Sequence, residues 1–369
     1  MTDRIGIVTG GGDSPGLNTV IRSVVKAAAL RGWETIGFEF SFEGMLEPPS
    51  YRLLEYQMMD SLLFRGGTVL GTRNSGVFSA KRGHGDVRIV PPELIAEAKS
   101  TFDEMGLMAL VCVGGDGSLT IAQQLFEAGV PLVGVPKTID NDLDATAVTF
   151  GFDSAVSCAV DALDRLSTTG ESHRRVMVLE VMGRYSGWIA TIAGIAGGAD
   201  VILIPEIPFD MDIVCAKVLE REREGKHHTL VIVAEGAREK GGDYVTTDEG
   251  EDDAEEHLGG IGPLVTEEIH RRTGKECRCV VLGHLQRGGS PTAADRQLCT
   301  RFGVGAVELI AAELFGYMVA LDPPEIVPVL ISDAIGRTRT VPPDGELVRT
   351  ARAVGSSFGA QLPRSQPTS

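Results

Sequence analysis

The chain has 369 residues, with 34 Lys and Arg against 51 Asp and Glu for a formal net charge of −17, and is 43% hydrophobic but only 5% aromatic. A length beyond the ~250–300 residues at which one core stops growing predicts two domains of ordinary size. The acidic balance argues against a nucleic acid or an anionic membrane as partner, because both are held by clustered cations.

The N-terminal residues lack the basic and apolar stretches of a secretory signal, and no uncharged apolar run reaches ~18 residues, so the expectation is a cytoplasmic protein with no membrane span. The first apolar run, residues 5–8, reads as a buried strand. It leads through Thr9-Gly-Gly-Gly-Asp-Ser-Pro-Gly-Leu-Asn18 into a helical pattern over 19–30. Closely spaced glycines let backbone N–H groups approach a phosphate, and the helix N-terminus adds about half a positive charge. A tight strand–helix turn with no ligand explains the same residues. The loop lacks both the Lys-Ser/Thr of a Walker loop and the spacing of a dinucleotide fingerprint.

A strand pattern at 109–113 runs into Gly114-Gly-Asp-Gly-Ser118 and a helix over 119–128. Asp116, unscreened among glycines, suits a carboxylate that holds Mg²⁺ against nucleotide phosphates. Loops of this kind also occur in lipid and NAD kinases, so the motif narrows the chemistry to phosphoryl transfer without naming the acceptor. The strand at 132–135 opens directly into Pro136-Lys-Thr-Ile-Asp-Asn-Asp142, a cation, a hydroxyl and two carboxylates two residues apart. One carboxylate can take the proton of an attacking hydroxyl while the other helps to place the metal. A plain turn is the other reading of these residues.

Further along, strands are predicted at 176–181, 201–204, 230–234 and 279–282, and helices at 154–166 and 213–223. Strands that are continuous hydrophobics, separated by helices, indicate parallel sheets covered on both faces, and so a doubly wound α/β protein. No internal repeat is present. Residues 248–256 place seven carboxylates in nine positions, whose self-repulsion favours a solvated loop; the polar, proline-containing tail 362–369 reads as frayed. The six cysteines (Cys112, Cys158, Cys215, Cys277, Cys279, Cys299) are scattered and show no metal spacing, which predicts reduced, mostly buried thiols.

Six motifs in order, GGDSPGLN (11–18), GGT-x-LGT (66–72), GGDGS (114–118), PKTIDND (136–142), EVMGRYSGW (180–188) and GHLQRGGSP (283–291), resemble the phosphofructokinase family. The resemblance runs from about residue 4 to about residue 310 and implies phosphoryl transfer to the 1-hydroxyl of fructose 6-phosphate. It implies Asp140 as the general base with Thr138 beside it, Arg184 as stabiliser of charge on the transferred group, and Asp116 with Asp142 as the Mg²⁺ anchor. Donor contacts would come from Gly12, Arg73, Gly115, Asp116, Gly117, Ser118 and Lys137. The sugar would meet Met182, Gly183, Arg184 and Glu235, and its 6-phosphate Arg175, Arg278, His284 and Arg287, since a dianion needs several donors and arginine forks onto phosphate oxygens. In this family Arg175 and Arg278 reach the site from a neighbouring subunit, so a homo-oligomer, dimer or tetramer, with shared active sites is implied.

Two positions bear on the donor. By the resemblance, Gly117 leaves room for a nucleotide α-phosphate and predicts ATP as co-substrate, whereas Lys137 is typical of pyrophosphate users. Phe42 stands where many ATP users carry an aromatic near the adenine. Ile121 and the place of Arg73, one position early, leaving Asn74 at the usual arginine, count against it. ATP is the expectation and pyrophosphate the alternative. Arg22 and Lys26 on the first helix are either a solvated face or, as in bacterial relatives, cations for an effector nucleotide. An NAD or lipid kinase would lack MGR and HLQRGG, and a non-catalytic regulatory paralogue would have lost Asp140, Asp116 or Arg184. The expected architecture is a donor-binding domain of residues 1–151 plus about 288–342, a sugar-binding domain of 152–287, an active-site cleft between them, and an extension at 343–369 of unassigned placement.

Overall fold

The computed structural model describes residues 3–73, 76–78, 89–246 and 259–361. Asn74, the acidic run at 248–256 and the tail 362–369 lie outside the described residues. The chain forms β1 (Arg4–Thr9), α1 (Leu17–Leu30), β2 (Glu34–Phe38), β3 (Tyr51–Leu53), α2 (Pro92–Glu104), β4 (Ala109–Gly114), α3 (Asp116–Glu127) and β5 (Leu132–Pro136). There follow α4 (Phe152–His173), β6 (Val176–Val181), α5 (Trp188–Ala196), β7 (Val201–Leu203), α6 (Met211–Arg223), β8 (Thr229–Ala234), α7 (Ile261–Thr273) and β9 (Cys277–Val281). The last elements are α8 (Ala293–Ala311), β10 (Tyr317–Asp322), β11 (Glu325–Leu330), α9 (Ile331–Ala334) and α10 (Glu346–Ala353). Both sheets are largely parallel, an α/β fold.

Two compact units divide the chain, Met1–Ser154 with Arg287–Arg339, and Ala155–Gln286 with Thr340–Ser369. In the first, seven strands run in the order β11-β10-β5-β4-β1-β2-β3. The central strands pair in parallel, and only the outer hairpin partners β3 and β11 are antiparallel. Side chains of the buried strands alternate between two cores, as the two-residue period of a strand requires. Ile5, Ile7, Val111, Val113, Val133 and Val135 pack on the face covered by α1 and α8. Val8, Leu110, Cys112 and Leu132 pack on the opposite face, beneath α2 and α3.

In the second unit the order is β7-β8-β6-β9, all parallel. Val176, Val178, Leu203, Val231 and Val233 meet α6 and α7 through Val214, Val218, Val265 and Ile269. The C-terminal segment from Thr340 belongs to this unit. Ser357 bridges Val201 in parallel and so extends the sheet past β7, and α10 packs on α5. All six cysteines are free, with Cys112, Cys215, Cys277 and Cys299 buried. Among the described residues no helix is long and apolar enough to cross a membrane.

Candidate active site

In the first unit the chain leaves β1 towards β2 on one side, while β4 and β5 extend the sheet on the other. The helices that follow β1 and β4, α1 and α3, lie on opposite faces. The carboxyl ends of β1 and β4 therefore flank a topological switch point, the place where an open α/β sheet leaves a crevice for a ligand. Three of the glycine-rich and acidic motifs lie at the ends of β1, β4 and β5.

Backbone hydrogen bonds tie these loops together beyond the strands, Gly10 N–H to Val113 O at 2.9 Å and Lys137 N–H to Gly114 O at 2.9 Å. A Cβ at Gly10 would stand 2.5 Å from Ser118 Oγ, so the buried Ser118 fills the space that this glycine leaves. Asn18 clamps the 65–69 segment, donating to the carbonyls of Arg65 and Gly66 and accepting from Val69 N–H at 2.8 Å. Thr72 donates to Gly11 O, which brings the 66–72 motif against the first loop. Gly115 is the residue before α3, so Asp116 and Gly117 form its first turn rather than a loop ahead of it; Gly115, Asp116 and Gly117 are all half-buried.

After β5, Lys137, Ile139, Asn141 and Leu143 are buried while Thr138, Asp140 and Asp142 stay half-exposed, so the hydroxyl and the two carboxylates share one side of the segment. Asp140 N–H donates to Thr138 Oγ1 at 3.1 Å. Asn141 adopts a left-handed φ of 52°, a conformation that asparagine tolerates. Its Oδ1 accepts from Thr149 N–H at 3.1 Å, and Thr149 Oγ1 donates to Thr138 O at 2.7 Å. Lys137 Nζ donates to Gly12 O at 2.5 Å. Burial, reinforced by the nearby Arg287 charge and opposed by Asp13, Asp142 and Asp140, brings this lysine down to about 7.

Arg287, a candidate for the sugar phosphate, lies against the first loop, donating to Asp13 O at 3.2 Å. Arg73 pairs with Glu43 and stands over the ring of Phe40, 5.6 Å from its centroid. Phe42, expected near the base, is only 2% exposed and packs in the core on Phe78 at 5.9 Å. Phe40 is the exposed aromatic of this segment, at 47%.

Residues after α9 complete the arrangement and have no motif to announce them. Gly336 N–H donates to Asp116 Oδ1 at 2.8 Å. Arg339 N–H donates to Asp142 O at 2.8 Å, and its guanidinium to Ala147 O at 2.7 Å. One short stretch thus contacts the Asp116 carboxylate and the main chain of Asp142. The donor set is all carboxylate oxygen, which suits a hard cation. Among the described residues no group of three or more His, Cys, Asp or Glu side chains forms a metal cage. Mg²⁺ is commonly held by one or two carboxylates together with substrate phosphates.

In the second unit, Met182, Gly183 and Arg184 follow β6, Glu235 follows β8, and the exposed His284 follows β9 in the turn Gly283–Gln286. These strands are parallel neighbours, so the five residues gather at one end of the sheet. Gly183 has φ 140° and its carbonyl accepts from Gly236 N–H at 3.1 Å; a Cβ on Gly236 would stand 1.9 Å from Arg184 O. The Arg184 guanidinium lies 5.2 Å from the Tyr185 ring centroid. Arg175 and Arg278 stand at the start of β6 and β9, at the opposite end of the same sheet, about 20 Å away for a strand of this length. Both pair with Glu276, Arg175 at 2.8 Å and Arg278 at 2.6 Å. Within the second unit Arg175 and Arg278 therefore stand apart from His284.

The family model described as phosphofructokinase matches residues 4–310. The chain belongs to the phosphofructokinase family. An ATP-dependent 6-phosphofructokinase of Chloroflexus aurantiacus is 51% identical over 359 residues, covering 97% of this chain and 98% of the relative. A pyrophosphate–fructose 6-phosphate 1-phosphotransferase of Amycolatopsis methanolica is 48% identical over 344 residues, covering 92% of this chain and 97% of the relative. Among solved structures, Pichia pastoris phosphofructokinase in the T-state superposes with a TM-score of 0.80 at 28% identity over 96% of this chain, which spans 36% of the yeast chain.

Proposed function

We propose that this member of the phosphofructokinase family transfers a phosphoryl group from ATP to the 1-hydroxyl of fructose 6-phosphate, giving fructose 1,6-bisphosphate and ADP. The observation that carries the reading is the segment after β5, which sets Thr138, Asp140 and Asp142 half-exposed on one side at a switch point flanked by glycine loops. Asp140 takes the proton of the 1-hydroxyl as its oxygen attacks the terminal phosphorus and the bond to the ADP oxygen breaks. The first loop and the α3 N-terminus (Gly12, Gly115, Gly117) offer backbone N–H groups to donor phosphates, and Lys137 adds a cation. Asp116 and Asp142 would hold Mg²⁺, which supplies charge neutralisation on the donor phosphates. In the second unit, Met182, Gly183, Arg184 and Glu235 would bind the sugar, with His284 on its phosphate and Arg184 also countering charge on the group in transfer. Arg175 and Arg278 would serve the site of a neighbouring copy; their place at the far end of the sheet supports a homo-oligomer.

Pyrophosphate as donor is the second reading, and buried Lys137 on the first loop favours it, as does the similarity to the Amycolatopsis enzyme. ATP is preferred on Gly117 and on the Chloroflexus relative. Fructose 1,6-bisphosphate formation with Mg²⁺ and either ATP or pyrophosphate decides between them. Turnover with ATP alone is expected, and robust turnover with pyrophosphate alone overturns the donor assignment. Gly117→Asp should abolish ATP use; unchanged ATP kinetics in that variant would show the steric argument to be wrong.

A further inference from the structure

Glu206 is a half-buried carboxylate that the reaction above does not use. It follows β7 closely, and burial pushes its carboxyl above the usual range. Its two oxygens both accept from Gly187 N–H, at 3.0 and 3.1 Å, and Oε1 accepts in addition from Val341 N–H at 2.7 Å. Gly187 is the residue before α5, so the carboxylate stands at a helix N-terminus, where negative charge is favoured. A Cβ on Gly187 would meet Ile204 at 2.4 Å and Glu206 Oε2 at 2.9 Å, so only glycine permits this approach.

We propose that Glu206 is a positioning residue for the loop that carries Arg184, and that through Val341 it makes the C-terminal segment part of that loop's support. The loop from Met182 to Gly187 is anchored near both ends. At its first end Gly183 O accepts from Gly236 N–H, and at its second Gly187 N–H donates to Glu206. Arg184 lies between them, so loosening either end widens the range of positions its guanidinium samples. Misplacement of about an ångström at such a group is costly, because the rate depends on geometry held before the reaction. The same carboxylate clips Val341, from which the chain continues into α10 on α5 and back along β7 through Ser357. The C-terminal segment thus packs on α5, which follows the loop, and bridges β7, the next strand.

The inference rests on Arg184 acting on fructose 6-phosphate. Glu206 also borders a cavity of about 500 Å³ lined in part by Asp210, Lys240 and Arg352, so shortening the side chain opens onto existing space. The experiment compares Glu206→Ala and Glu206→Gln with the wild type in steady-state kinetics and in amide hydrogen exchange. Loss of a hydrogen bond to a charged acceptor predicts that Glu206→Ala loses about 10- to 100-fold in kcat/KM for fructose 6-phosphate, with KM for ATP within about threefold. Glu206→Gln, which keeps one acceptor oxygen, should recover part of the loss. Exchange should quicken at Gly187 and Val341 in Glu206→Ala. Wild-type kcat/KM for the sugar, or equal losses for both substrates, overturns the positioning role. If the wild type does not phosphorylate fructose 6-phosphate, the functional reading fails by itself; unchanged protection at Gly187 and Val341 in Glu206→Ala would then still dispose of the clamp.

Discussion

Binding of a phosphate donor should be accompanied by proton uptake at Lys137. Lys137 is 4% exposed, so its ammonium has lost most of its hydration, and the Arg287 charge adds to the cost. Asp13, Asp142 and Asp140 offset only part of this, so the group titrates at about 7 instead of the ordinary lysine value of 10.5. At about pH 8 roughly one molecule in ten then carries the proton. A donor phosphate beside Nζ supplies the missing anion and restores the charged form, so binding at about pH 8 should take up roughly 0.9 proton at this residue, and roughly half a proton at about pH 7. Calorimetric titration of the donor in two buffers of different ionisation enthalpy reads the uptake directly. Lys137→Met is the control, because it keeps the packing and removes the titration. The same linkage governs stability. The depressed folded value means that stability from a neutral Lys137 is fully present above about pH 10.5 and is lost as the pH falls to about 7. Thermal melts of Lys137→Met should therefore gain most on the wild type below about pH 7 and converge towards it in alkali. Equal proton uptake by wild type and variant at about pH 8 would refute the reasoning.

Three further substitutions separate catalysis from structure. Asp140→Asn should lower kcat by about 100-fold or more with little change in melting temperature, and a variant with wild-type kcat would remove Asp140 from the role of base. Asn141→Ala orphans Thr149 N–H and forces alanine to φ 52°; urea denaturation should show a loss of about 1–3 kcal/mol. Gly303→Ala places a Cβ 2.6 Å from Ser23 Cβ where α8 crosses α1, and overpacking there should cost about 1–3 kcal/mol by the same measurement.

The buried parallel strands are legible in the sequence because burial on both faces demands continuous hydrophobics. β4, β5, β6 and β8 are such runs, and each is buried along its whole length. The outer strands are not legible in this way. β11 carries Pro328 and is half open to solvent, as an edge strand permits, and β3 is exposed throughout. Among the site residues, hydroxyls, carboxylates and glycines recurring at three successive strand ends point to phosphate chemistry together, where each motif alone also reads as a turn. Three phenylalanines at 38, 40 and 42 do not announce which one faces outward. The structure buries Phe38 and Phe42 and leaves Phe40 beneath Arg73.

What the sequence by itself determined is the chemistry at each strand end: which loops hold glycine, which carry carboxylates, and the parallel α/β plan that brings such loops to one edge. These follow from local rules, the strand period and the conformational needs of turns. Tertiary structure decided which groups meet across long stretches of chain. Gly336 N–H reaches Asp116 across 220 positions, Arg287 lies against Asp13, and Glu206 joins Gly187 to Val341. No local preference encodes such pairings, because a backbone donor is supplied by every residue except proline; only the packed fold selects which one a carboxylate finds.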